Sequence, residues 1–137
     1  MAIFLSFQIH FFITTLLYKS EVYEIVGACM EVHRTLGFGF LEVIYNDAME
    51  LEFVERKINF LREDEHSVIY KGKALKHKFF ADFTVFKNII VEVKANKDGI
   101  PVYAVNQTLN YLKASGFRLG VLINFGKTSL EYKRLVF

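Results

Sequence analysis

Three charged residues lie within the predicted strands of a mostly apolar stretch of the chain, FFADFTVFKNIIVEVKA. Asp82 stands in its first half, and Glu92 and Lys94 stand in its second half. Ionised side chains taken out of water cost several kcal/mol each unless they are paired or bound to a metal ion. The three residues therefore either form a charge network on a solvent-facing sheet edge or make up a functional site.

The spacing of these residues suits a metal site. Glu92 and Lys94 are two residues apart on a predicted strand, so they project from one face, while Val91 and Val93 face the core. Two carboxylates that converge across a strand pair suit Mg²⁺, which keeps several waters and accepts phosphate oxygens. A lysine beside such an ion can orient an attacking water or help to deprotonate it.

The turn between the two strands decides whether Asp82 meets Glu92. Residues that stand directly opposite in an antiparallel pair share a face, so the loop must hold an odd number of residues. A three-residue loop at 86–88 meets this condition, with Asn88 in the left-handed conformation. A two-residue turn would instead place Asp82 opposite Val93. We therefore expect the three-residue loop, with the three charged side chains on one face, near the helix that carries Glu42.

Periodicity predicts two helices before these strands. Helical spacing begins after Ser20, which is the expected N-cap, and stops at Gly37 and Gly39. A second helix is expected over residues 41–57. Its predicted apolar face consists of Leu41, Ile44, Tyr45, Ala48, Leu51 and Val54.

The remainder of the chain alternates between strand and helix signals. Alternation with turn signals at residues 71–72 and 87–88 predicts three or four antiparallel strands. A helix is expected after Pro101 and ends at Gly116, and two further strands follow. The expected fold is an α/β domain with a mixed central sheet, in the order α-α-β-β-β-α-β-β.

Three further polar residues are candidates for the same site. Gln107 and Tyr111 are four residues apart, so they share a face of the predicted last helix and can reach toward a phosphate or the lysine. Glu42 opens the second helix directly after GFGF. Each also has a structural explanation: Gln107 as a solvated residue, Tyr111 as part of the core, and Glu42 as a favourable charge at a helix N-terminus.

Composition limits the classes of function. The chain has 137 residues, enough for one domain, and a net charge of +2, too small to indicate nucleic-acid binding by itself. Local clustering must supply any phosphate-binding surface. The clearest basic cluster, which is otherwise a solvated hairpin rim, consists of Lys71, Lys73, Lys76 and Lys78. Cys29 is the only cysteine, which excludes an intrachain disulfide or a thiolate zinc site and suggests the reducing cytoplasm.

An uncharged, mostly apolar stretch precedes the predicted domain. We divide the chain into an arm, residues 1–19, and a domain, residues 20–137. The arm lacks the charge pattern of a secretory signal, and polar residues interrupt the run of about 20 apolar residues that a membrane-spanning helix needs. The alternatives are membrane association and an arm that packs on the domain, a second copy or a partner protein. The packing arm is favoured.

In this order, the motifs resemble those of a known superfamily. Asp82, nine residues, and then Glu92-Val93-Lys94 resemble the D-(x)n-E-x-K signature of the PD-(D/E)xK nuclease superfamily. More narrowly, the segment GFLEVIY is similar to the motif that names the GxxExxY family. Further blocks, VHRTLGFGFLE, YKG, ADFTV, VEVKA, LNYLKASG and GVLINFG, also resemble that family over residues 21–137. One departure is Phe38, which stands where the family usually has proline.

The resemblance implies a restriction-endonuclease-like fold and a divalent-metal phosphodiesterase that acts on DNA or RNA, with DNA favoured. Asp82 and Glu92 would hold Mg²⁺, or Mn²⁺ as an alternative, together with the carbonyl of Val93. Lys94 would position the water, and Glu42 would support the ion or its water shell.

The resemblance also implies roles for the last helix, and it leaves other classes open. Gln107 and Tyr111 would orient Lys94 or the nucleic-acid backbone. The competing class is a non-catalytic module that keeps the fold and binds nucleic acid or protein. A third class, a membrane-tethered adaptor, depends on the arm alone.

Overall fold

The computed structural model describes residues 17–137 together with residues 2, 3, 5, 6 and 8. The other positions of the predicted arm lie outside the described residues, so the packing of the arm stays a prediction. Within the described part of the chain, no helix combines the length and the apolar character needed to cross a membrane.

From residue 19 onward the chain forms three helices and seven strands. The helices are α1 (Lys19–Leu36), α2 (Glu42–Glu55) and α3 (Val102–Ser115). The strands are β1 (Phe60–His66), β2 (Ile69–Tyr70), β3 (Lys73–Ala74), β4 (Phe79–Val85), β5 (Ile89–Lys94), β6 (Leu119–Asn124) and β7 (Glu131–Val136). The predicted order is confirmed, with the short hairpin β2–β3 added between the first two strands of the sheet.

Five strands form one mixed sheet in the order β1-β4-β5-β6-β7. Strands β5 and β6 are parallel, and the other neighbours are antiparallel. Parallel neighbours need a crossover connection, and α3 supplies it. The mixed α/β architecture predicted from the sequence is confirmed.

The helices cover both faces of the sheet. Helices α1 and α2 pack on one face with Phe83, Val91 and Val93, while α3 packs on the other face with Ile90. Because β5 and β6 are covered on both sides, they are buried at almost every position. Cys29 is buried in the α1 layer, and burial raises the pKa of its thiol.

The start of α1 differs from the prediction. Ser20 lies inside the helix, and the N-cap is Tyr18, which has a left-handed backbone (φ 52°) and no side-chain capping bond. Tyr18 packs against the core, and its hydroxyl accepts a hydrogen bond of 2.8 Å from the Asn88 side chain. The Ser20 prediction was wrong because contacts with a distant loop, rather than local capping, set where the helix begins.

The predicted apolar face of α2 was also largely wrong. The buried residues are Tyr45, Met49 and Phe53, spaced four apart, so the helix touches the core along a narrow strip. Tyr45 anchors that strip, because its ring stacks on Phe125 at 4.5 Å. Ala48 is partly buried. The predicted core residues that are exposed instead are Leu41, Ile44, Leu51 and Val54.

The loop between β4 and β5 has the predicted length. Val85 pairs with Ile89, which leaves three residues, 86–88, in the turn. The left-handed residues are Phe86 (φ 51°) and Lys87 (φ 73°), so the assignment of that conformation to Asn88 was wrong. The backbone N–H of Phe86 donates to the carbonyl of Asn59 at 2.9 Å. This contact holds Phe86 in place, and the positive φ angles fall at the first two loop residues and not at the third.

A buried amide ties together the ends of the central strands. Asn124 is fully buried; its Oδ1 accepts from the backbone N–H groups of Asn96 (2.8 Å) and Gly126 (3.1 Å). Its Nδ2 donates to the Asn96 carbonyl at 2.9 Å and to Glu131 Oε1 at 3.0 Å. A β-carbon on Gly126 would lie 2.4 Å from the Asn96 backbone, so only glycine fits there. This network fixes the chain just after Lys94.

Replacing Asn124 by alanine is expected to lower the free energy of unfolding by about 2–3 kcal/mol, because several buried donors and acceptors lose their partners together. Urea denaturation followed by circular dichroism measures the loss. Asn88→Ala is the matched control: it removes a half-buried amide with one side-chain hydrogen bond and should cost less than about 1 kcal/mol. Equal losses in the two variants would contradict a special role for Asn124.

Candidate active site

The regular pairing of β4 with β5 ends where the acidic residues stand. The ladder runs from Val85–Ile89 to Phe83–Val91, which places Asp82 opposite Glu92. Beyond that point, side-chain carboxylates and not backbone carbonyls accept the hydrogen bonds between the strands. The Asp82 backbone N–H donates to Glu92 Oε1 at 3.1 Å. The Val93 backbone N–H donates to Asp82 Oδ2 at 2.8 Å. The two carboxylates thus bridge the strands reciprocally, and the predicted opposition of Asp82 and Glu92 is confirmed.

These side chains lie on the face of the sheet that α3 covers. Val91 and Val93 pack into the opposite, α1–α2 side, so the alternating Glu92 and Lys94 turn toward α3. The Lys94 amine lies 5.5 Å from the centre of the Tyr103 ring, in the first turn of α3. The single face predicted for the three charged residues is confirmed. The neighbouring helix is α3, however, and not the helix of Glu42, which packs on the other side.

The electrostatics of the pair favour a bound cation. Glu92 is 4% exposed, and its pKa is raised to about 9, first by burial and next by the negative charge of Asp82. Lys94 acts in the opposite direction but does not offset these effects. Without a cation, the Glu92 carboxyl therefore keeps its proton at neutral pH. An ion with a preference for oxygen ligands would relieve this repulsion, so the pair fits a divalent metal.

Helix α3 places Tyr111 beside the carboxylates and Gln107 beside Tyr111. The pKa of Tyr111 is raised by burial and then by the charges of Glu92 and Asp82, while a hydrogen bond with Gln107 lowers it. The Tyr111 ring also stacks on Phe79, with the ring centres 4.1 Å apart. Tyr111 is therefore both a packing residue and a neighbour of the site, and Gln107 holds its hydroxyl.

The structure does not bring Glu42 to this pair. Glu42 is exposed at the start of α2, on a cleft of about 580 Å³ that also touches Glu63 and Ala95. Among residues 17–137 and the described positions before them, no three acidic, histidine or cysteine side chains come together as metal ligands. Val93 lies between Glu92 and Lys94 with its N–H bound to Asp82, and the role of its carbonyl stays a prediction.

Sequence reasoning missed Tyr103. Its ring is 61% exposed and carries the Lys94 amine above it. A signal was available, because Tyr103, Gln107 and Tyr111 recur at intervals of four residues and so line one face of α3. That stripe contacts the lysine at one end and lies beside the carboxylates at the other.

Comparison with known proteins defines the class that this fold and site represent. A family model described as the PD-(D/E)XK nuclease superfamily matches residues 19–135. The chain belongs to the PD-(D/E)XK nuclease superfamily, whose nucleases generally use divalent metal ions.

Among solved structures, the crystal structure of SSO0001 is similar in fold, with a TM-score of 0.53 and 19% sequence identity. The similarity covers 87% of this chain and 60% of that protein, so this chain spans 60% of its length. The comparison with curated proteins gives no match.

Proposed function

We propose that this protein is a divalent-metal-dependent nuclease that hydrolyses phosphodiester bonds in nucleic acid, with DNA favoured over RNA. The observation that carries the proposal is the carboxylate pair formed by buried Glu92 and half-buried Asp82. The carboxylates of Asp82 and Glu92 accept the backbone hydrogen bonds that join β4 to β5 at this point. Lys94 projects beside them from the same face. Two neighbouring carboxylates, one of which (Glu92) has a raised pKa, suit Mg²⁺ or Mn²⁺. Membership of the superfamily supports the same chemistry.

Each strand residue has a distinct role in the proposed reaction. Asp82 and Glu92, with the carbonyl of Val93, hold the ion. The ion, when bound, polarises the phosphorus centre and stabilises the charge that grows on its oxygens. Lys94 positions the attacking water, and the ring of Tyr103 restricts where the Lys94 amine can lie.

The helices support that arrangement. Gln107 bonds to Tyr111 and keeps its hydroxyl beside the carboxylates, where it can orient Lys94 or a phosphate of the substrate. Glu42 lies on a separate cleft that does not include Asp82 or Glu92, so we assign it no contact with the ion.

Assignment to the GxxExxY family within the superfamily is the finer part of the proposal. Gly39 has φ 107°, in the range that favours glycine, and Glu42 begins α2. The Tyr45 hydroxyl donates to the Gly37 carbonyl at 2.6 Å and accepts from the Phe40 N–H at 3.3 Å. The three motif positions therefore build one corner that presents Glu42.

We also propose a cytoplasmic location, and an arm of residues 1–19 that binds a second copy or a partner protein.

A nuclease assay tests the activity directly. Single- and double-stranded DNA and RNA are incubated with Mg²⁺, with Mn²⁺ and with chelator, and the products are separated by size. Metal-dependent cleavage is expected, with DNA the better substrate. Binding of nucleic acid without cleavage of any substrate would instead support the competing function, a non-catalytic binding module with the same fold.

Millimolar Mg²⁺ or Mn²⁺ is expected to raise the melting temperature, because an ion that binds only the folded state stabilises it by mass action. Asp82→Asn should bind the ion more weakly. Without metal and above about pH 9, where Glu92 is ionised, it should melt at a higher temperature than the wild type because a repulsive charge is gone. Asp98→Asn, at an exposed loop position, should behave like the wild type. Identical melting in metal and in chelator would count against the site.

A further inference from the structure

The hairpin β2–β3 stands outside the main sheet. Within the described part of the chain, its strands pair only with each other, through Ile69–Ala74 and Tyr70–Lys73. Lys71 (φ 49°) and Gly72 (φ 79°) both have positive φ, which is the turn geometry that matches the natural twist of two strands. The segment is therefore a defined two-stranded ribbon. We refer to residues 69–78, which include this hairpin and the segment up to β4, as the lysine ribbon.

The lysine ribbon has a strongly one-sided chemistry. All residues from 69 to 78 are exposed, and the segment contains no acidic residue. Its basic residues are Lys71, Lys73, Lys76 and Lys78. Among the described residues, the ion pair of this segment joins Lys78 to Glu65 at 3.6 Å. The remaining lysines face water without a carboxylate partner in that part of the chain, so a polyanion complements the surface.

One face of the lysine ribbon combines charge with an aromatic ring. Tyr70 and Lys73 are directly paired, so their side chains share a face. The Lys71 amine lies 5.5 Å from the centre of the Tyr70 ring. Ile69 and Tyr70 are each 60% exposed, which a rim made only for solvation would not require. Apolar side chains among lysines suit a partner that offers both phosphates and bases.

The ribbon leads directly into the carboxylate pair. It joins β4 at Phe79, and Asp82 follows three residues later. A strand rises about 3.3 Å per residue, so Lys78 lies about 13 Å along the chain from Asp82. Two strands lie about 4.8 Å apart, and the major groove of B-DNA, about 12 Å wide, admits such a ribbon.

We propose that the lysine ribbon enters the major groove of double-stranded DNA and places the duplex backbone across Asp82 and Glu92. Lys71 and Lys73 contact phosphates, and Tyr70 lies against the groove wall. The placement across the carboxylates rests on the proposed nuclease function. The preference for duplex over single strands follows from the ribbon alone, because a groove exists only in the duplex.

Fluorescence anisotropy of wild-type protein in chelator, which prevents cleavage, tests the inference with one labelled sequence as duplex and as single strand. The duplex should bind at least about 10-fold more tightly. Joint replacement of Lys71 and Lys73 by serine should weaken duplex binding. The plot of the logarithm of the association constant against the logarithm of the salt concentration has a negative slope, and the magnitude of this slope should decrease by about 2 between 50 and 200 mM salt. Joint replacement of Lys19 and Lys133 by serine, a matched loss of two exposed lysines, should leave that slope nearly unchanged.

The outcomes separate the two proposals. If duplex binding depends on the ribbon but no metal ion supports cleavage, the nuclease proposal would be wrong and the proposed role of the ribbon would stand. If the protein cleaves duplex DNA but the Lys71 and Lys73 variant binds the duplex with the wild-type salt dependence, the proposed role of the ribbon would be wrong and the nuclease proposal would stand. Tighter binding to single strands, or binding to anionic lipid vesicles in preference to DNA, would also overturn the inference.

Discussion

Lys94→Ala is expected to reduce nucleic-acid cleavage by about 10²–10⁴-fold, the range for a positioned group that assists proton transfer, while the fold and most of the binding affinity remain. The reason is geometric. The Lys94 amine projects beside Asp82 and Glu92 but takes no part in the bridge between the strands. Single-turnover cleavage with Mg²⁺ measures the chemical step, and circular dichroism with anisotropy verifies fold and binding.

Two comparisons make the Lys94 result specific. Lys97→Ala removes an exposed lysine three residues later and should leave cleavage nearly unchanged. Gln107→Ala should have a smaller effect than Lys94→Ala, because an orienting hydrogen bond contributes about 0.5–1.5 kcal/mol, or up to about 3 kcal/mol when one partner is charged. If Lys94→Ala cleaves nucleic acid at the wild-type rate, Lys94 has no role in the mechanism.

In the absence of metal, the free energy of unfolding is expected to fall as the pH rises from about 5 to about 9. The pKa of Glu92 is about 9 in the folded protein and 4.5 ordinarily, so the folded state keeps a proton that the unfolded state has lost. Stabilisation is therefore complete below pH 4.5 and is lost as the pH rises through the folded pKa. The change is on the order of a few kcal/mol, and urea denaturation at a series of pH values measures it.

Glu92→Gln should remove most of this pH dependence, because the amide does not titrate. Glu55→Gln, at the exposed end of α2, should keep the wild-type profile. Added Mg²⁺ should flatten the wild-type curve, since the ion binds the deprotonated carboxylates and its affinity rises with pH. Parallel profiles for wild type and Glu92→Gln would show that another group causes the dependence.

The strand pair that carries the charged residues was predictable from local sequence. The period of two fixed which residues share a face, and an odd loop length set Asp82 opposite Glu92. Both properties depend on residues only a few positions apart. The spacing of Gln107 and Tyr111 was equally local and placed them correctly on one face of α3.

The errors have a common cause, which is contact between distant parts of the chain. The start of α1 depends on the contact between Tyr18 and Asn88, which are 70 positions apart. The buried strip of α2 depends on the ring of Phe125, which is provided by a strand end late in the sequence. Which helix covers the carboxylates depends on the side of the sheet that the α3 crossover takes. Local patterns contain none of these three facts.

The reciprocal bridge has a consequence for how relatives of this protein are interpreted. Asp82 and Glu92 each accept a backbone hydrogen bond that closes a seam between two central strands. A relative without catalysis would still need an acceptor oxygen at both positions to keep the strands joined. Asp or Asn at position 82 and Glu or Gln at position 92 would therefore reflect architecture as well as chemistry. The Lys94 side chain takes no part in these hydrogen bonds between the strands, and its amine lies over the exposed ring of Tyr103. In the proposed mechanism, the lysine therefore distinguishes an active member from an inactive one better than the acids do.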